Sequence, residues 1–128
     1  MANRDPLVEY LLELLAPLGS MRARRMFGGW GVYADDIMIG LVAGEALHLK
    51  VDEQTRAAFE AGGGAPFVFD SKSKTVATSY WSLPDEALDS PEAMQPWARM
   101  ALDAALRKAA AKPVRKRAGA AAGKTKVS

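Results

Sequence analysis

The sequence predicts a single α+β domain, with an antiparallel sheet of five to six strands and with N-terminal and C-terminal helices packed against it. The chain of 128 residues is long enough for one sizeable core and too short for two ordinary domains. Apolar residues recur at helical spacing near both ends of the domain and alternate at strand spacing in between. We expect the domain to span residues 1–111 and a disordered basic tail to span residues 112–128.

The first helix is predicted from the segment DPLVEYLLELLAPLG. Asp5 belongs to the residue types that cap helix N-termini, and Pro6 suits the first helical position, where a missing N–H costs nothing. Because a proline disfavours helical backbone at the residue before it, Pro17 should end the helix near Leu15 or Ala16. The expected buried face is one apolar stripe at three- and four-residue steps: Leu7, Leu11, Leu14, Leu15 and Leu18.

Strand spacing begins at Arg22. The segment VYADDIMIGLV has two apolar runs around Asp35 and Asp36, and aspartate tolerates the left-handed backbone that a tight hairpin demands. The following segment ALHLKV alternates, which indicates a half-buried antiparallel strand. Its two predicted faces are Leu47, Leu49 and Val51 on one side and His48 and Lys50 on the other.

The second half of the domain predicts a short helix, two strands and a final helix. The segment DEQTRAAFEAGGG predicts a helix capped by Asp52 and ended by Gly62, Gly63 and Gly64, and PFVFD and TVATSYW predict strands around the turn SKSK. The last helix begins at Ser90 or at Gln95, and Pro96 favours the later start or a kink. Its expected buried side comprises Trp97, Ala101, Leu102, Ala105 and Leu106.

The segment RARRMFGGWGVY combines three arginines with three glycines. A phosphate-binding loop needs its glycines between a strand and a helix, so that backbone N–H groups face the anion. A strand follows Gly31, so the glycines are expected to allow a bulge or a close backbone approach. One alternating strand cannot bury Arg22, Arg24 and Arg25 together. At least two should face water, either as a solvated face or as a contact for an anion or nucleic acid.

Charge is divided unevenly between the domain and the tail. The six tail cations leave 11 basic side chains against 15 acidic ones in residues 1–111, so the domain is net acidic. A flexible cationic segment attracts DNA without sequence preference because it releases condensed counterions. We therefore expect the tail to contact DNA or, alternatively, only to aid solubility. Its cations are Lys112, Arg115, Lys116, Arg117, Lys124 and Lys126.

No set of residues predicts catalysis, a cofactor or a metal site. The sequence has no cysteine, which excludes thiolate zinc sites and cysteine nucleophiles. The single histidine, His48, lacks ligand-type neighbours at metal spacing and is expected to face solvent. Turns and helix caps account for the adjacent acids. These are Asp35 with Asp36, Asp52 with Glu53, and Asp85 with Glu86. We therefore expect a protein that is not an enzyme.

The sequence shows neither a membrane span nor an export signal. Its longest strongly apolar run, IMIGLVAG, has eight residues, whereas a bilayer-spanning helix needs about 20. The opening MANRDPLVEY starts a helix and lacks an apolar region followed by a small-residue cleavage site. We expect a cytoplasmic protein with no membrane partner.

Aromatic residues could stack on bases, as they do in sheet-based RNA readers. Such readers place exposed aromatics beside basic residues on one face, whereas Phe67 and Phe69 precede Asp70 in a net acidic domain. Core packing is therefore the role expected for Phe27, Trp30, Phe67, Phe69, Tyr80, Trp81 and Trp97.

Several segments occur in an order and spacing that resemble a known family. They are RRMFGGWGVYADDIMIGLV, LHLKVDEQTRAAFEAGGGAPF, SYWSLP and PWARMALDAA. Over about residues 5–110, the chain resembles the N-terminal domain of the TfoX/Sxy family of bacterial competence regulators. His48 and Trp81 stand where that family often has tyrosine, and the basic tail takes the place of its C-terminal helical domain. The resemblance implies an α+β domain with a non-enzymatic role in transcription, in which the best-known members assist the cyclic-AMP receptor protein at competence-gene promoters.

Two functional hypotheses follow from the sequence. The first is a TfoX-like, transcription-associated accessory protein that binds a partner from the transcription machinery and contacts DNA phosphates through its tail, together with Arg22, Arg24 and Arg25. The alternative is a homodimeric module that binds a protein or a small ligand and has no DNA role. Exposed apolar surface beside the sheet would favour the alternative.

Overall fold

The computed structural model describes residues 5–26, 28–71 and 74–111, and it confirms the predicted α+β fold. The described residues form six strands, three α-helices and two short 3₁₀ turns, the turns at Ala16–Leu18 and Asp85–Leu88. The other elements, in chain order, are α1 (Pro6–Leu15), β1 (Met21–Met26), β2 (Gly29–Ala34), β3 (Ile37–Ala43), β4 (Ala46–Lys50), α2 (Arg56–Ala61), β5 (Pro66–Ser71), β6 (Lys74–Trp81) and α3 (Pro91–Ala111).

The strands form one sheet in the order β1-β2-β3-β4-β6-β5, and every neighbouring pair is antiparallel. Strands β1 to β4 are consecutive hairpins, so each lies beside its neighbour in sequence. After β4 the chain passes through α2 and returns with β6 against β4, which leaves β5 at the far edge. The two edge strands are therefore β1 and β5.

Helix α1 has the predicted bounds. The Asp5 carboxylate accepts a hydrogen bond from the Leu7 backbone N–H at 2.8 Å, as expected of an N-cap. Leu11, Leu14 and Leu15 are buried, and the chain leaves the α-helix after Leu15. The hairpin turn from β2 to β3 also lies where predicted, with Asp35 in the left-handed region at φ 55°.

Two helix starts differ from the expectation. Asp52 does not cap α2: its carboxylate accepts from the Gln54 N–H and its carbonyl from the Arg56 N–H, which closes a separate turn, so α2 begins only at Arg56. Helix α3 takes the earlier of its two predicted starts, because the Ser90 hydroxyl accepts a hydrogen bond from the Ala93 N–H, and Pro96 lies inside the helix.

The buried face of α3 is rotated from the predicted one. Ala101 and Ala105 are buried as expected, but the predicted core residue Leu106 is 43% exposed. Four alanines and one methionine form the buried face instead: Met94, Ala98, Ala101, Ala104 and Ala105. Small side chains let the helix lie close to the sheet.

All three α-helices contribute to one core on one face of the sheet. The core joins Leu11 and Leu14 of α1, Phe59 of α2 and three alanines of α3 to apolar residues of β2, β3 and β4. Phe59 is completely buried, and its ring meets the edge of Trp97 with 5.0 Å between centroids. Among the described residues, no helix combines the length and hydrophobicity needed to cross a membrane.

The other face of the sheet, here called the open face, carries the alternate residues. On β2, Tyr33 lies between the buried Val32 and Ala34, and on β4, His48 lies between the buried Leu47 and Leu49. Cross-strand pairing adds three partly buried side chains to this face. Met38 pairs with Tyr33, Leu41 pairs with His48, and Tyr80 pairs with Lys50, two residues after His48. None of these five residues belongs to the core cluster of the described residues.

Candidate nucleic-acid interface

The three predicted site arginines lie together on the edge strand β1. Arg22, Arg24 and Arg25 are all exposed, which confirms that at least two face water. Strand β1 pairs only with β2, and its side chains alternate between the two faces of the sheet, with Arg22 and Arg24 on one face and Arg25 on the other. Strand β1 contains no acidic residue, so its local charge is opposite to the net charge of residues 1–111.

Arg22 is held partly in place by the β2–β3 turn. Its Nη2 lies 3.1 Å from an oxygen of the Asp36 carboxylate, and the guanidinium lies over the Tyr33 ring, 5.3 Å from the centroid. The Arg22 side chain is 50% exposed and that of Asp36 is 94% exposed. An ion pair this open is weak, so it orients Arg22 while leaving the guanidinium accessible to a phosphate.

Arg24 and Arg25 carry the uncompensated charge of this edge. Arg25 lies over the Trp30 ring, 5.2 Å from the centroid, which pre-orients its guanidinium. Within residues 5–26, 28–71 and 74–111, neither Arg24 nor Arg25 has a carboxylate at ion-pair distance. These two positive charges are therefore available to a polyanion.

The glycine-rich segment shapes this edge and does not cradle an anion. It connects β1 to β2, with Gly28 at φ 80° in the hairpin turn, and Phe27 lies outside the described residues. A Cβ on Gly29 would collide with the carbonyl oxygen of Val42 in β3, so this position needs glycine for close backbone approach. The expected close backbone approach is thus confirmed at Gly29.

The aromatic residues are divided between the core and the surface. Trp30, Trp81 and Trp97 pack against the core as expected. The expectation is wrong for Phe69, which is 45% exposed on the edge strand β5 because that strand has a neighbour on one side only. Tyr80 belongs to the open face and to no core cluster of the described residues.

His48 does not face solvent as predicted. It is half-buried on the open face, where its ring meets the edge of the Phe67 ring with 5.1 Å between centroids. Its Nδ1 lies 3.2 Å from the carbonyl oxygen of Ala46. Burial lowers the pKa of His48, which favours the neutral imidazole.

A cation–aromatic pair on β4 and β6 could not be predicted from the sequence. Lys50 is only 8% exposed, and its Nζ lies 5.1 Å from the centroid of the Tyr80 ring. Burial, and to a smaller extent Tyr33, raises the pKa of Tyr80. The alternation of ALHLKV assigned Lys50 to the face opposite Leu49, but its partner is 30 residues later and is found only from the β4–β6 pairing.

Other predicted features lie in turns or outside the described chain. Asp35 and Asp36 form the β2–β3 turn, and Asp85 and Glu86 begin a 3₁₀ turn. In the part of the chain that the structure describes, no group of three histidine or acidic residues could hold a metal ion. The six predicted DNA-contacting cations of the tail lie outside the described residues: Lys112, Arg115, Lys116, Arg117, Lys124 and Lys126.

Comparison with known proteins identifies one family. The sequence model described as the TfoX N-terminal domain matches residues 13–105, which include all six strands, α2 and most of α3, but only the last residues of α1. The comparison with curated proteins found no match.

Proposed function

The chain belongs to the TfoX N-terminal domain family, and from this membership we propose that it acts without catalysis as a transcription-associated regulator of the TfoX/Sxy type. In this role it works in the cytoplasm, contacts DNA through phosphates, and binds a protein of the transcription machinery. The β1 arginines are the observation that carries the DNA contact. Three exposed guanidinium groups on one edge strand suit phosphate oxygens, with which arginine forms bidentate hydrogen bonds.

The proposed DNA contact has two parts. The β1 arginines are held by the fold, and two of them are pre-oriented over aromatic rings, so they contact phosphates at fixed positions. The six tail cations add charge that needs no fixed geometry. Neither part reads bases. Sequence preference at a promoter must therefore come from the protein partner, which is the role of an accessory protein.

The β1 contribution can be tested by comparing two variants that lose the same number of positive charges at different places on the surface. The variant Arg24→Gln/Arg25→Gln removes two charges from the β1 edge, and the control Arg56→Gln/Arg99→Gln removes two exposed charges from α2 and α3. Affinity for a duplex DNA is measured by fluorescence anisotropy at low salt. We expect the β1 variant to bind several-fold more weakly than the control. Equal affinities would show that only net charge matters and would contradict a β1 interface.

The second candidate function, a homodimeric binding module, is favoured by the opposite edge of the sheet. On β5, Val68 is 47% exposed and Phe69 is 45% exposed, and the outer side of this strand has no partner strand among the described residues. Natural proteins protect edge strands with charge, as β1 does with its arginines, whereas an exposed apolar edge is a template for pairing. A second copy of this chain pairing along β5 would cover both side chains.

Oligomeric state tests this candidate. Phe69→Lys places a charge on the β5 edge, and Leu106→Lys is the matched control, because Leu106 is 43% exposed and lies on α3. Size-exclusion chromatography with light scattering should show a dimer for the wild type and the control, and a monomer for Phe69→Lys. A monomeric wild type at high concentration would exclude the homodimer.

A further inference from the structure

A cleft of about 450 Å³ lies between the end of β4, strand β6 and the last turns of α3. The charged residues that line it are Lys50, Asp52, Glu53, Arg107 and Lys108, and Ser79 contributes a hydroxyl group. The volume is in the range of small-molecule sites. The cleft shares no residue with β1, and strands β2 and β3 separate β1 from β4 in the sheet. It is therefore a feature independent of the proposed DNA contact.

The Lys50 ammonium is the most buried cation of the cleft. The residue is 8% exposed, and its Nζ donates a hydrogen bond to the Ser79 hydroxyl oxygen at 2.6 Å. Within the described residues, no carboxylate lies at ion-pair distance from Nζ. Burial and the positive charge of Lys108 lower the pKa of Lys50, while Asp52 opposes them. A buried cation without a close counterion is unfavourable unless an anion completes its surroundings.

One of the two carboxylates in the cleft, that of Asp52, already has a cationic partner. The Asp52 carboxylate accepts from Arg107 through both oxygens, with Nε at 2.7 Å and Nη2 at 3.0 Å. This bidentate pair neutralises the Arg107 guanidinium. The remaining carboxylate, Glu53, is exposed at the rim, where water screens its charge. Lys50 and Lys108 are thus the two cations of the cleft that have no ion pair with a carboxylate of the described residues.

We propose that this cleft binds the phosphoryl group of a small phosphate ester. A phosphate monoester has a second pKa near about 6 and so carries close to two negative charges at neutral pH, matching the two uncompensated lysines. The Ser79 hydroxyl accepts from Lys50 and can donate its own proton to a phosphate oxygen, and Lys50 keeps further N–H donors. A phosphate accounts for a small part of 450 Å³, so the cleft has room for the organic part of the ester.

The test titrates the full chain and follows its backbone amides by heteronuclear NMR. The ligands are glycerol 3-phosphate, inorganic phosphate, and glycerol with sodium chloride at the same ionic strength. We expect saturable shifts of the Lys50, Ser79 and Lys108 amides with one or both phosphates and none with the glycerol control. Saturation by the ester at lower concentration than by inorganic phosphate would identify the ester as the ligand class, and the reverse would restrict the site to the free ion.

Variants separate this site from a general attraction of anions. Lys50→Met should weaken phosphate binding by about tenfold or more, as expected for loss of a charge-assisted hydrogen bond. Lys108→Gln removes an exposed charge and leaves the core unchanged, so it provides the test if Lys50→Met does not fold. It should weaken phosphate binding about threefold. Arg99→Gln, an exposed change elsewhere on α3, should have no effect. Absence of saturable binding, or equal binding by all folded variants, would overturn the proposal.

Discussion

At the scale of single residues, Gly29 determines how closely β2 approaches β3. A Cβ at this position would collide with the Val42 carbonyl oxygen, which belongs to backbone and cannot turn aside. Gly29→Ala should therefore lower the free energy of unfolding by about 1–3 kcal/mol in urea denaturation. The matched control is Gly31→Ala, whose Cβ would meet the flexible end of Met26 at 3.0 Å and should cost less. A larger loss for Gly31→Ala would contradict the close approach.

The Asp52–Arg107 pair predicts a stability that depends on pH. Hydrogen bonds from Arg107 are the main cause that lowers the pKa of Asp52 below its ordinary value of 3.8. The folded state thus binds this proton more weakly than the unfolded state, so the contribution is complete above pH 3.8 and is lost as pH falls through the folded-state pKa. Asp52→Asn should be less stable than wild type at pH 7, and the difference should shrink below pH 3.8.

Thermal unfolding of wild type and Asp52→Asn across this pH range checks that expectation. Asp36→Asn is the control, because the Asp36 side chain is 94% exposed and its pair with Arg22 contributes little to stability. A difference between Asp52→Asn and wild type that stays constant down to acid pH would show that the pair does not depend on ionised Asp52.

At the scale of elements, α3 depends on small side chains. Ala98 and Ala101 are completely buried between this helix and the rest of the core. Ala101→Leu should overpack the core and lower the free energy of unfolding by about 1–3 kcal/mol, measured by urea denaturation. Leu106→Ala changes the exposed side of the same helix and should have little effect. Equal stability of Ala101→Leu and wild type would mean that α3 does not lie close to the sheet.

Elements defined by local signals could be predicted from the sequence, and elements defined by tertiary contacts could not. The Asp5 cap and Pro6 act within one turn, so the start of α1 was predictable. The start of α2 depends on whether Asp52 closes a turn or caps the helix. The local sequence is compatible with both, so it could not decide between them. The face of α3 was one residue out of phase because its buried alanines carry a weak hydrophobic signal, while exposed Leu106 carries a strong one.

The same distinction holds for the candidate sites. One alternating strand cannot bury three charged side chains, so the exposure of the β1 arginines was predictable. The positions of Arg22 over Tyr33 and of Arg25 over Trp30 depend on the β1–β2 register, which pairs each of these two arginines with its ring. The Lys50 cleft combines β4, β6 and α3, which are brought together only by the sheet order and by packing. No local pattern in the sequence could assemble it.

At the scale of the whole molecule, two regions of the chain have a local charge opposite to the net charge of residues 1–111. Residues 1–111 are net acidic, yet the β1 edge is cationic and the six tail cations have no acidic neighbour in residues 112–128. Such an arrangement lets a polyanion meet the protein at two cationic regions while the acidic remainder repels it. The predicted result is a defined orientation of the domain on DNA, which leaves the surfaces away from β1 free for a protein partner.

The salt dependence of DNA affinity tests the proposed function most directly. The full chain is compared with a variant in which all six tail cations are replaced by glutamine, and circular dichroism checks that both are folded. Anisotropy titrations at several salt concentrations give the slope of log affinity against log salt. Loss of six phosphate contacts should reduce its magnitude by about 5, and Arg24→Gln/Arg25→Gln should reduce the remainder further. Unchanged affinity and slope in both variants would contradict DNA contact through these regions.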